Sequence, residues 1–111
     1  MLRIENFSLI SFCDKLESLD IGNTYIKNIS FLEKNKNIKE LELNSDNVGI
    51  YTPISYLEKL EKLDLSFSDV KDISFLEKNK NIKELDIRGC EIYEKYKVKI
   101  LKRKDIYIIE N

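Results

Sequence analysis

The thirteen residues at positions 29–41, ISFLEKNKNIKEL, recur without a change at 73–85, an offset of 44. Half of that offset is the real unit. Leu16, Ile38, Leu60 and Ile82 lie 22 residues apart. The same spacing relates Leu19, Leu41, Leu63 and Leu85, then Ile21, Leu43, Leu65 and Ile87, then Ile26, Val48, Val70 and Ile92. Four apolar ladders at one period leave few folds open. A unit this short cannot enclose a core alone, so it buries its apolar positions by stacking against copies of itself.

Each unit reads L-x-x-L-x-L-x-x-(polar)-x-I. The x-L-x-L-x part alternates with period two and predicts a short strand with one buried face. Stacked units place these strands side by side, about 4.8 Å apart. The polar position holds Thr24, Asp46, Ser68 and Cys90. A small side chain there is expected to turn inward and hydrogen-bond backbone groups left unpaired by the bend.

The second half of the unit carries its own signature. Ser30 to Glu33, Ser55 to Glu58 and Ser74 to Glu77 fit S-x-x-E, and Ser11 to Asp14 is a weaker copy. The pattern predicts a capping box opening one helical turn on the outer side. Phe12, Phe31, Tyr56 and Phe75 are expected to lie near one another along that side, as packing rather than as a ligand platform. In the second unit the I-S-x-L string arrives three residues late, at Ile54. This predicts a loop at 49–53 that bulges outward, either as neutral variation or as a contact point.

The ends depart from the repeat, as solenoid caps do. Leu2, Ile4 and Leu9 match Leu19, Ile21 and Ile26 at an offset of 17, a shortened first coil. Tyr107 and Ile109 fall 22 after Leu85 and Ile87, so 106–109 is expected to supply a last strand. The segment Tyr96 to Ile100 reads either as an extra strand or as an irregular cap. The division is thus one domain over 1–111, with a capping coil at 1–15, units at 16–37, 38–59, 60–81 and 82–103, and a capping strand at 104–111.

The repeat resembles leucine-rich repeats. Its I-x-x-I-S-x-L run, Ile26 to Leu32, looks like that of the bacterial internalins and of related phosphatase-regulating repeats. The likeness is strong from Leu16 to Ile92 and weak at the ends. It implies an α/β fold, a single right-handed solenoid with a short parallel sheet on its concave face and helical turns and loops on its convex face. It also implies protein–protein binding through the concave face. Internalins are secreted and much longer, so neither adhesion nor a receptor is carried over.

Between the buried leucines, Ser18 and Asp20, Glu40 and Glu42, Lys62 and Asp64, and Glu84 and Asp86 alternate to the concave face. Asn44, Ser66, Phe67 and Arg88 flank them. Asp20, Glu42, Asp64 and Asp86 form a column of carboxylates whose mutual repulsion a basic protein surface would relieve. The same column is also explained as a solvated face common in this repeat. The candidate partner-binding residues are therefore Asp20, Glu40, Glu42, Lys62, Asp64, Phe67, Glu84, Asp86 and Arg88. Phe67 stands where Asn23, Ser45 and Gly89 stand in the other units, and reads as a hot spot or as a residue folded onto its neighbour. Tyr25 is a weaker case on the same rim.

The net charge of −1 hides a division. Lys95, Lys97, Lys99, Lys102, Arg103 and Lys104 face only Asp105 and Glu110, so residues 95–111 carry +4 and the first 94 carry −5. This tail is a secondary basic patch, or a soluble cap that blocks end-to-end sheet pairing. Together with the Lys34-Asn35-Lys36 and Lys78-Asn79-Lys80 loops it offers a nucleic-acid reading, disfavoured because no aromatic stacking platform accompanies it.

The chain has no His and only three Gly, with no phosphate-cradling or nucleophile motif, so catalysis, cofactors and metals are not expected. Carboxylates along one flat column do not converge as a calcium site requires. Cys13 and Cys90 have no metal-ligand spacing and read as reduced, core-facing thiols. The start shows neither a secretory pattern nor a membrane span, which places the chain in the cytoplasm as a monomer or weak self-associator. The Lys, Asn and Ile bias looks like that of an AT-rich bacterial or phage genome. The function expected is a binding module, acting by occlusion as a small inhibitor, immunity-type or anti-defence factor, with a multi-partner adaptor as the alternative.

Overall fold

A computed structural model describes residues 7–22, 24–45 and 48–111, with backbone alone for Phe7 and Ser8. The expectations for Leu2, Ile4, Asn23 and Asp46 lie outside the described residues.

Each L-x-L core forms a three-residue strand. These are β1 (Ser18–Asp20), β2 (Glu40–Glu42), β3 (Lys62–Asp64), β4 (Glu84–Asp86) and β5 (Tyr107–Ile109). They make one parallel sheet in the order β1-β2-β3-β4-β5. The middle residues form a single rung line, Leu19, Leu41, Leu63, Leu85 and Ile108. Such short strands extend their pairing through the next residue, as Leu43 N–H donates to Asp64 O at 2.8 Å and Leu65 N–H to Asp86 O at 2.9 Å.

Opposite the sheet lie four 3-10 turns, Phe7–Phe12, Ser30–Lys34, Thr52–Tyr56 and Ser74–Lys78, stacked in order. The core between the two layers is built from the ladders. Leu41, Leu43, Leu63, Leu65, Leu85, Ile38, Leu60 and Ile82 are all buried, while Leu16 and Leu19 in the first unit are half-buried. Burial of each such side chain contributes about 1.5–3 kcal/mol.

Several expectations are corrected. The serines do not cap. Ser30 and Ser74 are the first residues of their turns, and their N–H groups donate to Asn28 Oδ1 and Asp72 Oδ1, each at 2.8 Å. The turns are closed by i to i+3 bonds, Leu32 N–H to Ile29 O and Leu76 N–H to Ile73 O, so a capping box built for an α-helix has no place.

The second unit is not late, and 49–53 does not bulge. Its turn runs from Thr52 to Tyr56, on the 22-residue schedule of Ser30–Lys34 and Ser74–Lys78. Ile54 occupies the place of Leu32 and Leu76, and buried Tyr51 that of Ile29 and Ile73. Pro53 early in the turn supplies a helical φ without needing a donor. The expected row of aromatics is consequently broken. Phe31 is in the core, Phe12 and Tyr56 are exposed, and Phe75 stacks on Tyr51.

Residues 94–101 form a helix, α1 (Glu94–Leu101), not a strand. Tyr96 and Ile100, one helical turn apart, pack on the core. The Y-K-V-K-I alternation that suggested a strand satisfies this i, i+4 pairing equally. α1 also shifts β5. Tyr107 pairs with Glu84, 23 residues earlier, so Ile108 takes the leucine rung and Tyr107 faces outward. Finally, Cys13 is exposed and is not a core-facing thiol, while half-buried Cys90 packs against the core as expected.

Candidate functional site: the open face of the sheet

The face of the sheet turned away from the 3-10 turns carries two columns. One is Ser18, Glu40, Lys62, Glu84 and Tyr107, and the other is Asp20, Glu42, Asp64, Asp86 and Ile109. A shallow depression of about 140 Å³ is lined by Glu40, Glu42, Lys62, Asp64, Glu84, Asp86 and Ile109.

The second column is not electrostatically uniform. Asp20, Asp64 and Asp86 each accept the backbone N–H two residues on, from Gly22 at 2.9 Å, Ser66 at 2.9 Å and Arg88 at 3.1 Å. These are Asx turns that close the bend after each strand. Asp64 Oδ1 also accepts Asn44 Nδ2 at 3.3 Å. Asp86 is buried and gripped by the Arg88 guanidinium, Nε at 3.0 Å and Nη2 at 2.7 Å, which holds its carboxyl below the usual range. Glu42 is different. It is exposed, and Asp20 first, then burial, then Asp64 push its carboxyl above the usual range. Within this column the Arg88 ion pair falls on Asp86 of β4, while Lys62 of β3 is the cation of the neighbouring column, in register with Glu40 and Glu84.

The rim after β3 holds Phe67. Its backbone is left-handed, φ 58°, and its N–H donates to Arg88 O at 2.7 Å. The ring lies over Gly89, φ 73°, so closely that a β-carbon there would stand 2.3 Å from Phe67 Cδ1. The ring is still 65% exposed.

The family model described as leucine rich repeat matches residues 78–92. No curated protein matches the chain. Among solved structures, an internalin (inlF) of Listeria monocytogenes superposes with a TM-score of 0.86 at 20% identity, over 96% of this chain and 32% of that one. Internalin C2 (inlC2) of the same species gives 0.76 at 22% identity, over 96% and 56%. A leucine-rich-repeat protein of Leptospira interrogans gives 0.77 at 22%, over 94% and 28%. The chain is a leucine-rich-repeat solenoid. It spans about a third of the first internalin and little more than half of the second.

The solenoid brings Asp20, Glu40, Glu42, Lys62, Asp64, Glu84 and Asp86 onto one face and sets Arg88 and Phe67 at its rim. Four of the six tail cations have partners within the fold. Lys97 pairs with Glu110 at 2.9 Å and Lys99 with Glu77 at 3.1 Å. Lys95 lies over the Tyr96 ring at 5.0 Å. Arg103 donates to Leu76 O and Asn79 O, both at 3.1 Å, closing the carbonyls of the last 3-10 turn. Lys102 and Lys104 are exposed.

Asn35 and Asn79, read from sequence as parts of basic loops, are fully buried. Asn35 Nδ2 donates to Ile10 O and Cys13 O, and Asn79 Nδ2 to Ile54 O and Leu57 O, at 2.9–3.1 Å. Each staples its coil to the preceding turn. The signal available in the sequence was the exact recurrence of Asn between two exposed lysines, which a purely solvated loop does not require. The inward polar position behaves as expected, since Thr24 Oγ1 donates to Ile21 O at 2.7 Å and Cys90 Sγ to Leu65 O at 3.0 Å.

Proposed function

We propose that this solenoid is a protein-binding module that receives a basic partner surface on the open face of its sheet, over β1 to β3. Leucine-rich-repeat proteins generally mediate protein–protein interaction, and no helix among the described residues is long and apolar enough to cross a membrane. One observation carries the reading: Glu42 stands between Asp20 and Asp64 with its carboxyl raised by their charge. A cation placed there relieves repulsion already present in the free protein. The module acts by covering a surface, as a small inhibitor or immunity-type factor does. Its residues are Asp20, Glu40, Glu42 and Asp64 as the anionic centre, with Lys62 beside Glu40 within it and Glu84, Asp86, Arg88 and Phe67 at the edge.

The test uses Glu40→Lys with Glu42→Lys, because both side chains are exposed and neither closes a turn. Partners are captured on the wild-type chain, and the affinity of the captured partner is then measured for both proteins across a salt series. A loss of at least about tenfold, roughly 1.4 kcal/mol, with a weaker salt dependence supports the reading. Equal affinity for both proteins overturns it.

A further inference from the structure

Between the return loops of the second and third coils lies a groove of about 460 Å³, outside the sheet face described above. Its composition follows from one departure from the repeat. Tyr51 occupies the core place that Ile29 and Ile73 hold in the neighbouring units. The ring is parallel to that of Phe75 from the next coil, centroids 6.4 Å apart and planes at 11°. The Tyr51 hydroxyl is anchored on Asp69 Oδ1 at 2.5 Å. One wall of the groove is thus a rigid aromatic pair.

The rim is anionic. Asp69 and Asp72 both line the groove. Asp72 accepts the Ser74 N–H at 2.8 Å, and hydrogen bonding to Ser74 holds its carboxyl below the usual range, so it is ionised at neutral pH. Ile50, 69% exposed, adds an apolar surface to the groove. Lys71 also stands at the rim, with its ammonium 3.9 Å from Glu91.

We infer that this groove takes the guanidinium group of an arginine presented by a protein partner. Guanidinium is a planar, weakly hydrated cation that stacks on aromatic faces and donates in a fork to carboxylates. The apolar stem of the arginine lies against exposed Ile50. Lysine offers the charge without the stacking plane. The site is chemically separate from the open-face column, because its anions are set against aromatic rings and the column's are not.

The test is an amide-resolved NMR titration of the 15N-labelled full chain with N-acetyl-arginine amide, run beside the lysine and citrulline analogues. Saturable shifts are expected at Ile50, Val70, Asp72 and Phe75 with the arginine probe, in the millimolar range. The lysine probe should bind about fivefold more weakly, and citrulline, which has the shape without the charge, should not saturate. Asp72→Asn and Phe75→Leu should each weaken the arginine probe while keeping a dispersed, folded spectrum. Saturation by citrulline at equal strength, or no saturable arginine shifts at the groove amides, overturns the inference. Shifts at Glu42 and Asp64 report cation binding to the open face and are scored separately, so failure of either reading is distinguishable from failure of the other.

Discussion

Phe67 holds a left-handed backbone that costs a non-glycine residue about 1–2 kcal/mol. The fold tolerates this because the amide of Phe67 is paired to Arg88 and its ring covers the backbone of Gly89. Gly89 is constrained twice, by its own positive φ and by the ring above it. Gly89→Ala should therefore lower unfolding stability by about 2–4 kcal/mol in urea denaturation. In a Phe67→Ala background the same change should cost only the backbone part, about 1–2 kcal/mol. Equal costs in both backgrounds would show that the ring does not press on Gly89. At this scale the sequence exposed Phe67 as an anomaly and kept both readings of it open. Only the placed backbone shows that it does fold onto its neighbour and still presents most of its ring to solvent.

At the scale of elements, the strands were legible and the pieces between them were not. Leu19, Leu41, Leu63 and Leu85 at constant spacing fix a strand and its register together, since a one-residue slip would turn the leucines outward. The I-S-x-L string misled in the second unit because a 3-10 turn is closed by backbone bonds that many side chains accept. Thr52, Pro53 and Ile54 satisfy them as well as Ser30, Phe31 and Leu32 do. The last unit shows the opposite case. α1 replaces a 3-10 turn, the return takes one more residue, and Ile108 moves onto the rung line in place of Tyr107. Ile108→Ala should cost about 1–3 kcal/mol in chemical denaturation, and Tyr107→Ala less than about 0.5. The reverse order would restore the 22-residue register.

Across the whole molecule the acidic column sets a pH dependence whose terms differ in sign. The folded state raises the carboxyl of Glu42, so ionising it costs stability, and that cost disappears as pH falls through its folded value. Asp72 and Asp86 are lowered, so their contributions are present at neutral pH and are lost as pH falls through their folded values. Glu42→Gln should accordingly raise the melting temperature at pH 7 through a gain of up to about 0.5 kcal/mol. The gain should vanish below the carboxylate range. Identical melting of the two proteins by circular dichroism at neutral pH would mean that the column is fully screened. The charge division between body and tail was visible in the sequence as well, but not which of the tail's cations are engaged by the fold. Lys97, Lys99 and Arg103 are spent on Glu110, Glu77 and the carbonyls of the last 3-10 turn.

What the sequence determined alone was the period, the rung residues of the first four strands, the buried ladders and the identity of the side chains on the open face. All of these follow from apolar spacing, a local property that one stacking geometry satisfies. What only the tertiary structure decided was where each return begins, which residue of β5 takes the rung, and which polar groups are occupied. Asp20, Asp64, Asp86, Asn35, Asn79 and Arg103 look like surface charges and amides in one dimension. The aspartates close local Asx turns two residues on, whereas the bonds of Asn35, Asn79 and Arg103 reach backbone carbonyls of another coil and exist only after the coils stack. Glu42, one methylene longer than the aspartates above and below it, is instead set beside Asp20, whose charge and hydrogen bonding raise its carboxyl.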